Sequence, residues 1–155
     1  MDDHATGVQA PGRDTRPIVL TAIIIGMFMA AVEATVVATA MPTIVHVLGG
    51  FRLFPWLFSI YVLTQAVTVP IYGRLADIFG RKPVYLFGTT LFLGASVLCG
   101  LAVTMPQLIV FRGLQGIGAG AIFPIALTIV GAMYTPSQRA RIQGFLSSVW
   151  AIASI

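Results

Sequence analysis

Charge is scarce in this chain. Its 155 residues carry nine cationic and five acidic side chains, and no acid follows Asp77. A soluble domain of this length must cover itself with polar residues. With 57% hydrophobic residues and a mean hydropathy of +0.94 there are too few to do so. A bilayer removes that demand, so the composition implies a membrane protein. Cysteine is nearly absent too: Cys99 stands alone inside an apolar run, which excludes a disulfide within these residues. His4 and His46 have no neighbouring cysteine or histidine, so they are read as solvated and no metal site is expected. No nucleophile–base pair or phosphate loop stands out, so no catalytic residue, cofactor or enzymatic activity is expected. The formal charge of +4 does not imply a nucleic-acid partner, because the basic residues are scattered between apolar runs.

What the sequence does have is a series of apolar runs. A polar tail at 1–17, expected to be disordered and cytoplasmic, precedes runs at about 18–41, 55–73, 84–103 and 107–134. A fifth, from about 141, is still running at 155. Each complete run approaches or exceeds the ~20 residues that cross ~30 Å of hydrocarbon. The expected fold is an all-α polytopic membrane bundle: four complete transmembrane helices plus a truncated fifth. Ala38-Thr39-Ala40 imitates a signal-peptide cleavage site, but the run before it is too long and carries Glu33. Pro42 is expected to end or kink the first helix, whereas Pro55 and Pro83 open the second and third. Arg13, Arg16, Arg74, Arg81, Lys82, Arg139 and Arg141 fall on one side of the implied membrane and only Arg52 on the other. That bias places the N-terminus in the cytoplasm.

Glu33 and Arg112 are the ionisable residues set inside apolar runs, each at a cost of roughly 2.5–3.5 kcal/mol or more. At ~1.5 Å per residue, Glu33 lies ~22 Å from the inner boundary and Arg112 ~9 Å from the outer one of a ~30 Å core. The two are thus expected at one level, able to pair or compete for partners. Ionised Glu33 favours the pair and a neutral acid releases it, so protonation could switch the contact. A static bridge is the blander alternative, and intramembrane acids more often mark proton or substrate paths.

Tyr61, Thr64, Gln65, Thr68 and Tyr72 recur at three- and four-residue steps and form a polar stripe on helix 2. Such a face meets either a water-filled cavity or another helix, and Tyr61, Thr64, Gln65, Thr68 and, from helix 4, Gln115 are the cavity-lining candidates. Helix 3, with only Thr89, Thr90, Ser96 and Cys99 as weak polar points, is expected to be peripheral. Gly116 and Gly120 present a small-residue strip for helix packing. The dinucleotide-like Gly116-x-Gly118-x-x-Ala121 fails as a fingerprint, lacking a preceding strand and a downstream acid. The densest charge lies at 73–82, GRLADIFGRK, which is expected to be a short aqueous connection between helices 2 and 3. There Gly73 permits close contact, Gly80 a tight turn, and Asp77 and Arg81 can pair locally or cap helix ends.

Three stretches resemble the major facilitator superfamily. Gly73-Arg74-Leu75-Ala76-Asp77-Ile78-Phe79-Gly80-Arg81-Lys82 is similar to its signature between helices 2 and 3, with Ile78 in place of a frequent cation. The run Arg112-Gly113-Leu114-Gln115-Gly116-Ile117-Gly118-Ala119-Gly120 is similar to the helix-4 motif of its proton-driven antiporters. Glu33-Ala34-Thr35-Val36-Val37-Ala38-Thr39-Ala40-Met41-Pro42 resembles the helix-1 motif of the fourteen-helix drug:proton branch, with Glu33 for the usual Asp and Met41 for a common Leu. The resemblance implies a secondary transporter that works by rocking two halves around a midplane cavity lined by helices 1 and 4. It implies proton coupling at Glu33 and Arg112, and a conformational switch at Gly73, Asp77, Gly80, Arg81 and Lys82. The implied function is proton-coupled multidrug efflux across the inner membrane. Its partners would be the bilayer, protons, a small amphipathic organic substrate and the remaining transporter helices missing from this chain. The alternative is a truncated non-transporting fragment or an oligomerising subunit, since four complete helices cannot supply the second repeat that alternating access needs.

Overall fold

A computed structural model describes residues 16–133, 137, 142–144 and 147–148. Most of the expected tail and fifth helix, with Arg13, Arg139 and Arg141, lies outside the described residues. Four long helices follow one another: α1 (Arg16–Leu48), α2 (Phe54–Phe79), α3 (Arg81–Gly100) and α4 (Met105–Met133). A single 3-10 turn, Phe51–Leu53, connects the first two, and short connections make consecutive helices antiparallel. All four are long and apolar enough to cross a membrane. Ile25, Val62, Val67, Phe87 and Val97 are each more than half exposed, an outer surface suited to hydrocarbon.

The helix limits differ from the apolar limits for local reasons. α1 does not stop near Met41 but continues through Pro42 to Leu48. One missing N–H does not end a helix whose neighbours hold it. What ends it is Gly49 and Gly50, at φ +65° and +74°, a left-handed pair that glycine adopts freely. The charged stretch at 73–82 is not a loop. α2 runs through Pro70 and Gly73 to Phe79, Gly80 alone makes the turn at φ +92°, and α3 begins at Arg81. Arg74, Leu75 and Ala76 are good helix formers, so the helix outlasts its apolar segment. α4 starts at Met105, ahead of the expected Gln107, because its end is capped reciprocally. Thr104 Oγ1 accepts from the Gln107 N–H at 3.4 Å, and Gln107 Oε1 from the Val103 N–H at 3.2 Å.

α4 is the central helix. Its spanning segment is 67% buried, against 6% for that of α2. The glycines explain how it fits. Successive residues turn by ~100°, so Gly116 and Gly120 share a face and Gly118 points the opposite way. A Cβ on Gly116 would overlap Thr64 Oγ1 and the Tyr61 carbonyl, and one on Gly120 would overlap Thr68 Oγ1. On the other face, a Cβ on Gly118 would stand 2.8 Å from the Gly88 carbonyl oxygen of α3. Small residues thus let α2 and α3 both approach the α4 backbone.

Candidate functional site

All four helices meet at one polar node. Glu33 of α1 accepts from Arg112 Nη1 of α4 through Oε1 at 2.8 Å. The same Nη1 donates to Gln115 Oε1, also at 2.8 Å, one helical turn further along α4. Ser96 of α3 donates to Glu33 Oε2 at 3.3 Å, and Cys99 Sγ lies 3.6 Å from Gln115 Oε1. From α2, the Tyr61 ring faces the guanidinium, with Arg112 Cζ 5.4 Å from its centroid, a cation–π contact. The ion pair is well shielded: the Arg112 and Glu33 side chains are 7% and 16% exposed. Gln115 is wholly buried, and among the described residues its Nε2 has no hydrogen-bond partner. Turning the amide over would place that donor against Arg112, so the carbonyl orientation is the one that Arg112 enforces. The sequence brought Glu33 and Arg112 to one level. It missed Ser96 and Cys99, whose three-residue spacing puts both on the face of α3 that meets the node.

A cavity of about 550 Å³ opens on one side of this node. Met27, Ala30 and Ala34 line it from α1, Tyr61, Gln65, Ala66 and Val69 from α2, and Ala119, Phe123 and Pro124 from α4. Helix α3 contributes nothing to it. Among the expected lining residues, Tyr61 and Gln65 are there. Thr64 and Thr68 are not, because they sit in the seam against Gly116 and Gly120. Their hydroxyls donate to the Ile60 and Thr64 carbonyls of their own helix, at 2.8 and 2.7 Å. Gln115 does not line it either, being sealed beneath Arg112. The walls are apolar apart from a phenol and an amide, with one backbone addition. Pro70 has no N–H to give, so the carbonyl of Ala66, four residues earlier on the cavity wall, lacks its helical donor.

At the other end, Gly73, Asp77 and Arg81 border a cavity of about 210 Å³ together with Pro124 and Thr128 of α4. Arg81 Nη1 donates to the Thr128 carbonyl at 2.9 Å, tying the start of α3 to the later part of α4. Among the described residues Asp77 forms no ion pair, and local pairing with Arg81 is not what the structure shows. Gly73 makes no close approach, since a Cβ there would meet nothing within 4 Å. Lys82 is exposed at the first turn of α3.

A polar node buried among long apolar helices is a feature of membrane transporters, and comparison with known proteins agrees. The model of the Major Facilitator Superfamily matches residues 23–155. The chain belongs to that superfamily. Membership makes it a multi-pass membrane protein and points to transport rather than to enzymatic chemistry. Multidrug transporter protein MdtP of Bacillus subtilis is 46% identical over 140 residues, covering 90% of this chain and 26% of the relative. Multidrug resistance protein 3 of the same organism is 43% identical over 153 residues, 99% of this chain and 29% of that protein. Efflux pump dotC of Dothistroma septosporum is 36% identical over 136 residues, 88% of this chain and 23% of that pump. The chain therefore spans about a quarter of the length of these relatives.

Proposed function

We propose that this chain is the N-terminal part of a proton-driven exporter of small amphipathic organic compounds, working by alternating access in a cell or inner membrane with its N-terminus in the cytoplasm. The observation that carries this is the shielded Glu33–Arg112 pair at 2.8 Å. Two charges in hydrocarbon cost several kcal/mol, and a well-packed apolar pair would hold the helices as firmly. An ionisable pair is retained there because it can be discharged. When Glu33 takes a proton, Arg112 loses its counter-ion but keeps Gln115 Oε1, so the cation stays at the node while α1 is released. The cavity beside it would accept the substrate, with apolar walls for bulk and Tyr61, Gln65 and the Ala66 carbonyl for orientation. Asp77 and Arg81 would belong to a cytoplasmic charge network that breaks as the halves rock. The names of the relatives support export as the direction.

The test is Glu33→Gln in the full-length protein. The amide still accepts from Arg112 but cannot carry the proton. Efflux of a fluorescent lipophilic dye driven by a pH gradient should disappear, while expression and membrane insertion stay normal. Normal coupled efflux at normal expression would overturn the assignment.

A further inference from the structure

Resting on the proton-coupled reading above, the geometry points to two separate chambers in this part of the protein: the proton reaches Glu33 from the outer side, whereas substrate occupies the 550 Å³ cavity on the inner side.

The second chamber, of about 210 Å³, is lined by Glu33, Val37 and Ala40 of α1, Ser96 and Cys99 of α3, and Arg112 of α4. On α2 and α4 its residues lie outward of those lining the large cavity: Leu57 against 61–69 on α2, and 108–112 against 119–124 on α4. On α1 the two linings meet at Glu33 and Ala34, with 27–34 on the large cavity and 33–44 on the small one. Of the two, Glu33 and Arg112 border the small chamber and Tyr61 the large one. The Tyr61 ring over the Arg112 guanidinium is therefore the partition. The chamber has room for about seven waters at ~30 Å³ each, and four of its lining side chains, on three helices, carry polar groups that water can bond. From Glu33 to Ile44, the furthest lining residue of α1, it reaches ~16 Å along the helix. The buried apolar cluster of Leu57, Met105 and Leu108 lies towards its outer end. The groups facing Glu33 are Arg112 from α4, Ser96 and Cys99 from α3, and Tyr61 from α2. A hydronium admitted past these apolar side chains passes its proton to a Glu33 carboxylate oxygen. That leaves a water and a neutral acid, and the substrate is never displaced.

The full-length protein tests this in two ways. Ala40→Cys on the outer chamber and Ala66→Cys on the large cavity are each made with Cys99→Ser, and each is measured before and after labelling with a small methanethiosulfonate ammonium. Labelled Ala40→Cys should exchange protons for substrate about tenfold more slowly with an unchanged substrate Kd, whereas labelled Ala66→Cys should bind substrate about tenfold more weakly. Leu108→Ala, added to the Ala40→Cys variant, should speed its labelling from the outer face and leave substrate Kd unchanged. Substrate displaced by the label at Ala40→Cys would overturn the two-chamber assignment, as would unaltered exchange, no labelling from either face, or labelling that Leu108→Ala does not speed. Coupled export that survives Glu33→Gln fails the proton-coupled reading itself, a separate result from the failure of these variants.

Discussion

The seams along α4 make a prediction that pairs two glycines. Gly118→Ala places a Cβ 2.8 Å from both the Gly88 carbonyl oxygen and the Phe92 Cα of α3. The Phe92 backbone N is nearer still at 2.5 Å, and ordinary contact begins near 3.4 Å, so α3 must retreat by about 0.9 Å. Both neighbours are backbone, so no rotamer change relieves the overlap. Overpacking of this kind costs ~1–3 kcal/mol, and a rigid neighbour puts the expected loss at the upper end. Gly94→Ala on α3 is the control, because a Cβ there meets nothing within 4 Å. It should be neutral, or stabilising by up to ~0.8–1.0 kcal/mol from helix propensity. The assay is resistance of the purified full-length protein to thermal unfolding in mild detergent, with each variant beside the parent. Equal behaviour of the two variants, or a stable Gly118→Ala, would show that α3 and α4 do not meet at these glycines.

Two further predictions concern charge. Asp77→Asn should slow the conformational switch yet spare insertion and stability, because exposed Asp77 has no ion pair among the described residues and surface changes of this kind stay within about 0.5 kcal/mol; unchanged transport would reduce the stretch to a topology signal. Glu33→Asp keeps the acid but shortens its arm by one methylene. It should lose either the 2.8 Å contact to Arg112 or the 3.3 Å contact to Ser96, and couple at a rate between those of the parent and Glu33→Gln. A rate equal to the parent's would mean that the span to α3 is not needed.

How much of this was legible beforehand follows from what sets each feature. Apolar length marked the four spans, because hydrocarbon thickness dictates it. It misplaced their ends, because ends are fixed by local chemistry instead: left-handed Gly49 and Gly50 for α1, the Thr104–Gln107 cap for α4. Cost flagged Glu33 and Arg112, since a charge in an apolar run has no other excuse. Thr64, Gln65 and Thr68 were harder. They share a stripe, but only the seating of Gly116 and Gly120 decides that the threonines enter the seam while Gln65 meets the cavity. Ser96, Cys99 and Tyr85 were silent because their partners lie 16 to 63 residues away. Nothing in the local pattern of α3 announces that Tyr85 donates to the Ala22 carbonyl at 3.3 Å, or that Gly26 leaves room for its hydroxyl.

The difference in packing between helices says why a proton at Glu33 would matter mechanically. α4 is wedged between α2 and α3 by glycines on both faces, so it moves only with them. α1 is held less closely, because it meets α4 along a much shorter seam than α2 or α3 does. Apart from apolar packing, its links to the other helices include the Glu33 bonds to Arg112 and Ser96 and the Tyr85 bonds to the Ala22 and Ile23 carbonyls. Neutralising Glu33 therefore removes the ion pair from the most weakly packed contact, while the tight α2–α4–α3 unit stays intact. Breaking a buried pair by removing one partner costs ~3–5 kcal/mol, but here Gln115 keeps a bond to Arg112 and lowers that penalty. α1 also walls both cavities, so on the proposed mechanism its release would change the proton's vestibule and the substrate's cavity in one movement.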